Sequence, residues 1–284
     1  MQLVACVDTL NAGVHFPVDT QPSALGWKAL AVNLSDLAAM GAQPCWALLS
    51  LSLPSAECPS VEEVIAGLTH LARLHGVALV GGDTTRGPLS LTVTALGQVP
   101  AGTALVRSGA RIGDAIVVTG NLGDAAAGLM LATGQVVAQS HAVSETLRKR
   151  LDYPTPRVAA GIAVRGIASA SIDVSDGLLA DLGHVCAESG VGAAIDLESV
   201  PLSAEILSAL PRHMAQLLAL SGGDDYELCL TVPREHLETA LVALRGAGCA
   251  PHLVGRVTAE PGVQVLDAAG MDVTPRQRGY EHFS

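Results

Sequence analysis

Two stretches of strict alternation constrain this chain more than any other feature. Leu49, Leu51 and Leu53 alternate with Ser50 and Ser52, and Leu89, Leu91, Val93 and Ala95 alternate with Ser90, Thr92 and Thr94. A period of two marks extended strands whose successive side chains point to opposite faces. Each stretch therefore has one oily and one hydroxyl face, which suits a sheet covered by helices on one side and by water or a partner subunit on the other. Around them, 3–7, 47–53 and 77–80 read as strands, and 24–40 and 61–74 read as helices. The alternation of strand and helix implies a layered α/β protein. Its core has to be built from aliphatic side chains, because hydrophobic residues make up 49% of the chain and aromatics only 2%.

After Arg107 the chain runs through Ser-Gly-Ala-Arg-Ile-Gly-Asp and starts a new series at Ala115. Strands are predicted at 115–119, 170–174, 192–197, 226–232, 252–257 and 263–267. Helices are predicted at 123–132, 142–150, 156–167, 177–188, 203–220 with a break at Pro211, and 235–246. This places two domains, 1–110 and 111–284, within a length that allows two.

A formal charge of −11 without a Lys/Arg cluster argues against nucleic acid or an anionic membrane as the main partner. A phosphate ligand remains compatible, provided cations or backbone N–H groups offset a repulsion of ~4 kcal/mol for unit charges about 4 Å apart at an effective dielectric of about 20. Magnesium is the expected cation. Six scattered cysteines without a CxxC pair argue against zinc and disulfides. With neither a signal-peptide pattern nor a charge-free apolar run of about 18 residues, the expected location is the cytoplasm.

The chemistry is concentrated where acidic residues meet Gly, Ser or Thr. In Val80-Gly81-Gly82-Asp83-Thr84-Thr85-Arg86-Gly87 the glycines allow close backbone approach to a ligand and Asp83 supplies a carboxylate; a plain turn has similar residues. Ile172-Asp173-Val174-Ser175-Asp176-Gly177-Leu178 puts two carboxylates where a strand gives way to a helix. Ser175 or Asp176 is open to a capping role, which leaves Asp173 as the stronger magnesium and phosphate candidate. Asp36 falls on the helical stripe of Leu25, Ala29, Val32 and Met40, so it is shielded and requires a cation, for which a metal is preferred to an Arg or Lys. Thr119-Gly120-Asn121-Leu122-Gly123-Asp124 is able to offer N–H groups to an anion. Ser221-Gly222-Gly223-Asp224-Asp225-Tyr226-Glu227-Leu228 is either a turn or a cation site.

Taken in order, these segments resemble the thiamine-monophosphate kinase family of the aminoimidazole ribonucleotide synthetase-like ATP-binding superfamily. The resemblance also rests on Val7-Asp8-Thr9-Leu10, Gly13-Val14-His15-Phe16, the run from Lys28 to Gly41, Arg107-Ser108-Gly109 and Gly279-Tyr280-Glu281-His282-Phe283. It implies an N-terminal sheet-and-helix domain (1–110) that dimerises and binds ATP and magnesium, followed by a C-terminal α/β domain (111–284). The implied activity is ATP-dependent conversion of thiamine monophosphate to thiamine diphosphate by a homodimer. By carry-over, Asp8, Asp36, Asp83, Asp173 and Asp176 bind magnesium, and Gly82, Asp83, Arg107 and Ser175 contact ATP. His15, Asp224 and Tyr280 contact thiamine monophosphate, and Asp83 and Asp173 are the residues on which turnover depends.

The family pattern differs in two respects, having a further N-terminal segment with a Gly-Asp-Asp motif and Ser-Thr where this chain has Cys6-Val7. Those differences keep a non-catalytic ATP- or thiamine-phosphate-binding dimer open as an alternative, beside another ATP-dependent synthetase of the superfamily. A dinucleotide-binding oxidoreductase ranks last, for want of a GxGxxG after the first strand.

Overall fold

The computed structural model describes residues 1–17, 19–55 and 61–280. Cys58 and the Glu281-His282-Phe283 part of the family pattern lie outside these residues. The first half contains β1 (Gln2–Asn11), α1 (Pro22–Ala39), β2 (Gln43–Leu53), α2 (Val61–His75), β3 (Ala78–Arg86) and β4 (Ser90–Val99). Its strands form one sheet in the order β1-β4-β2-β3, antiparallel except for the β2–β3 pair. The alternation works as read: Leu49, Leu51, Leu91, Val93 and Ala95 are buried against the helices, and Ser50 lies on the open face. One segment differs from expectation. Gly81 to Arg86 continues β3 as strand, in register with Leu48 to Leu53 of β2. Gly82 makes this possible: at φ 153° a side chain is strained, and a Cβ there would run into the Leu49 carbonyl.

The second half comprises β5 (Ala115–Val118), α3 (Asp124–Ala132), α4 (His141–Asp152), α5 (Val158–Ala163), β6 (Ala170–Asp173), α6 (Leu178–Ser189), β7 (Gly192–Asp196), α7 (Ala204–Ala209), α8 (Arg212–Ser221), β8 (Leu228–Val232), α9 (Leu237–Gly246), β9 (His252–Thr258) and β10 (Gly262–Leu266). Its six strands are ordered β10-β7-β9-β5-β8-β6. Val117, Leu228 and Leu230 bury into one core, while Ile116, Val118 and Cys229 bury into another on the opposite face. Burial on both faces explains why these strands read as continuous apolar runs without alternation. Among the described residues no helix is long and apolar enough to cross a membrane.

The helix α1 joins the halves. It packs on β1, β2 and β4 of its own sheet and on α4, α5, β6 and β8 of the second half. It lies close to α2, because a Cβ on Gly26 would meet the Val64 carbonyl and a Cβ on Gly67 would meet that of Ser23. In a helix interior Gly→Ala ordinarily gains ~1 kcal/mol, whereas overpacking costs about 1–3 kcal/mol. Gly26→Ala is therefore expected to lower the melting temperature, measured by circular dichroism. Gly183→Ala in α6, where the Cβ would meet nothing within 4 Å, should leave it unchanged or raise it; equal effects would refute the reciprocal glycine contact.

Candidate active site

Two glycine-containing loops meet at the seam between the halves. The first, Val174–Gly177, leads from β6 into α6; the second, Gly222–Glu227, leads from α8 into β8. They are tied by backbone hydrogen bonds of 2.8 Å: Asp224 N–H to the Ser175 carbonyl, Tyr226 N–H to Val174, and Val174 N–H to Glu227. Gly177, at φ 122°, brings its Cα so close to Ser221 that a Cβ would strike the Ser221 backbone. Asp224 and Tyr226 adopt positive φ values of 70° and 51°, conformations that non-glycine residues hold only when their surroundings impose them. The Tyr280 N–H bonds to the Asp176 carbonyl at 3.0 Å and so brings the end of the described chain to the same place.

Ser175 and Asp176 do not cap α6; its N-cap is Gly177, without a side-chain cap. Buried Asp181 does the bracing, its Oδ2 accepting the N–H groups of Ser175, Asp176 and Gly177 at 2.9, 3.0 and 3.1 Å. The two acidic residues after Gly223 separate in role. Asp224 stays in the cleft wall, while Asp225 turns inward and accepts the Gly123 N–H with both oxygens, at 3.0 and 2.8 Å. The acceptor at the Gly120–Asp124 turn is thus the protein's own carboxyl group, which burial pushes well above the usual carboxylate range against the pull of the Gly123 N–H and Arg150. Glu227 is buried and accepts hydrogen bonds from Arg150 Nη2 at 2.9 Å, from both Nε (2.7 Å) and Nη2 of Arg157, and from the Thr119 hydroxyl at 2.6 Å.

Asp8 lies on the covered face of β1 with Val4 and Leu10, facing Asp36 of α1 and the end of β6 at Asp173. Burial, with Asp173 and Asp8 adding negative charge, pushes the Asp36 carboxyl up to about 8, and Arg107 pulls against this. Burial pushes Asp173 up to about 6, and the charge of Asp8 adds to it. Asp8 is raised chiefly by burial, against which its interactions with Asp36 and His15 pull. Asp36 and Asp173 form a wall common to two adjoining cavities. One, of about 560 Å³, is lined also by Asp8, His15, Ser175, Asp176, Asp224 and Tyr280; the other, of about 420 Å³, is lined by Arg107, Ser108, Ser171 and Glu188.

Residues 1–99 match the N-terminal domain of AIR synthase related protein, and residues 111–268 match its C-terminal domain. The thiamine-monophosphate kinase of Salmonella typhimurium is 45% identical over 282 residues, covering 99% of this chain and 87% of that protein. The crystal structure of thiamine-monophosphate kinase from Stenotrophomonas maltophilia superposes with a TM-score of 0.89 at 50% identity, covering 93% of this chain and 85% of that one. AaThiL complexed with AMPPCP and TMP superposes with a TM-score of 0.87 at 35% identity, covering 99% and 87%. The chain belongs to the thiamine-monophosphate kinase family.

Against the family pattern, the structure gathers Asp8, His15, Asp36, Asp173, Ser175, Asp176, Asp224 and Tyr280 at the first cavity and Arg107 at the second. It does not bring Gly82 and Asp83 there within one chain. Asp83 is in register with Ser50, Ser50 with Thr92, and Thr92 with Thr9, a row on the open face of the sheet. Asp8 projects from the other face, so the sheet itself separates Asp83 from the remaining carboxylates. Sequence reasoning missed Lys28 and Asp181. Lys28 is 3% exposed and its ammonium lies 3.0 Å from Asp224 Oδ2. Asp181 carried a readable signal, an acidic residue in the first turn of a helix.

Among the described residues no three or more His, Cys, Asp or Glu side chains close on a common metal position. Magnesium ordinarily needs only one or two carboxylates, the rest of its shell coming from water and substrate phosphates. Asp8, Asp36 and Asp173, crowded and short of positive charge, fit that demand, and the buried Ser171 hydroxyl beside them has no hydrogen-bond partner. Without metal, the unfolded chain ionises these carboxyls near 3.8, and the folded chain only toward about 6 and about 8. Their contribution to stability is full below the lower value and is lost as pH rises through that window. Magnesium should therefore raise the melting temperature more at about pH 8.5 than at about pH 5. A magnesium effect equal at both pH values would detach these carboxyls from the metal.

Proposed function

We propose that this chain phosphorylates thiamine monophosphate to thiamine diphosphate with ATP as donor. One observation carries the reading: Asp36 and Asp173 stand between two adjoining cavities, one bearing His15, Asp224 and Tyr280 and the other Arg107. Two anionic reactants entering from opposite sides would meet at that wall. The larger cavity suits thiamine monophosphate, with Tyr280 offering a ring face to the cationic thiazolium. The smaller suits the nucleotide, whose phosphates Arg107 would orient, with Ser175 meeting them from the larger cavity across the shared wall. Asp8, Asp36, Asp173 and Asp176 would hold magnesium, which when bound neutralises phosphate charge in the transfer. The acceptor phosphate has a second pKa of about 6, so its oxygen is ionised at neutral pH and His15 need not act as a base.

The partner is a second copy of the chain. Leu3, Val7, Trp46, Leu48, Leu79 and Val80 of the first sheet are exposed apolar residues, a feature that favours association. We also propose the division at 110/111, supported by the two sheets and the two family matches, with the metal and ATP residues drawn from both sides of it. Gly82 and Asp83 keep their proposed ATP and metal roles only from that second copy, across the paired open faces. The cysteines Cys6, Cys45, Cys186, Cys229 and Cys249 are free thiols, which supports the cytoplasm as the setting.

Purified chain supplied with ATP, thiamine monophosphate and magnesium should form thiamine diphosphate, and chelation should stop it. Asp173→Ala should lower kcat on the order of 10²–10³-fold with the fold intact by circular dichroism. Turnover of a different acceptor, with none of thiamine monophosphate, would select another synthetase of the superfamily. Asp83→Ala and Asp173→Ala, inactive separately, should recover about a quarter of the sites when unfolded and refolded together, because each mixed dimer assembles one intact site. No recovery would place Asp83 in the same chain's site or outside catalysis.

A further inference from the structure

Lys28 touches both halves of the larger cavity's wall at residues expected to meet the substrate, Asp224 and His15. It projects from α1 and is 3% exposed. Its ammonium lies 3.0 Å from Asp224 Oδ2 and 3.4 Å from the His15 carbonyl oxygen. The other Asp224 oxygen accepts the Tyr226 hydroxyl at 2.9 Å. Asp224 is therefore held at both oxygens, on a backbone already at positive φ. A buried ammonium persists only where its charge is answered, and here the answering carboxylate comes from the opposite half of the protein. Lysine suits this position, as a compact charge whose donors can serve two acceptors at different angles.

We propose that Lys28 is a positioning residue of the thiamine-phosphate end of the cleft, acting through His15 and Asp224. This rests on the kinase reading above. The cationic ring of the substrate then meets an ion pair, with Asp224 fixed in place and its charge partly compensated. Selectivity for that ring comes from where the carboxylate is held more than from unpaired negative charge. Lys28 lines neither cavity, so its loss should be felt through the two residues it fixes.

The test compares Lys28→Met and Lys28→Gln with the unaltered chain. Steady-state kinetics is combined with calorimetric titration of thiamine monophosphate and, separately, of AMPPCP. The expected result is a rise in KM and Kd for thiamine monophosphate on the order of tenfold. AMPPCP affinity and KM for ATP should stay within about twofold. Lys28→Met combined with Asp224→Asn should cost no more than the worse single change, since the two residues act as one unit. Equal loss of both ligands, additive behaviour in the double variant, or failure of both Lys28 variants to fold would make Lys28 a structural residue and overturn the proposal. If the unaltered chain neither binds nor converts thiamine monophosphate, the kinase reading fails and the positioning role falls with it.

Discussion

Mutual repulsion among carboxylates withdrawn from water is the constraint around which the cleft is organised. Asp8, Asp36 and Asp173 come from three different elements, a strand of the first sheet, the helix that joins the halves and a strand of the second sheet. Left alone, such a group would spread apart or take up protons. The surrounding structure prevents the first outcome: α1 is buried along most of its length, and the two glycine loops are fastened to each other by main-chain bonds. The second outcome is what a cation reverses. Rigidity and charge are therefore two aspects of one arrangement, in which the fold stores an electrostatic demand that a metal and phosphates together can meet.

Much of this was legible in the sequence, and the reasons differ by residue. The first sheet was readable because one of its faces is covered and the other open, so Leu49 to Leu53 and Leu89 to Ala95 alternate. Asp36 was readable because a carboxylate on an apolar helical stripe is incongruous. The strand–turn–helix around Asp173 was readable from its glycine and its apolar flanks. What stayed hidden depends on register and on long-range pairing. Gly81 to Arg86 has turn composition, and only its neighbour β2 makes a strand of it. Asp83 faces away from Asp8 because of strand pairing that no local pattern encodes.

The same limit applies to the polar interior. Asp225 and Gly123 are paired across 102 residues, and Glu227 with Arg157 across 70. Composition and spacing alone do not separate Asp224 from Asp225, and only the family resemblance singles out Asp224; in the structure Asp224 lines the cleft and Asp225 is a strut. Lys28 sat within an apolar helix with no local acid to suggest its partner. Its significance emerges only when the loop bearing Asp224 is folded against α1.

The pairing of Asp225 with Gly123 has a further consequence for traffic through the molecule. A glycine turn opening onto a helix is a natural resting place for phosphate, and this protein is proposed to handle several phosphates at once. With its own carboxyl group on that N–H and both residues buried, the chain closes the turn from within. Phosphates from solution therefore meet no open Gly123 N–H at this end of α3. Asp225 thus works as a latch, tying the loop before β8 to the turn before α3 across 102 residues.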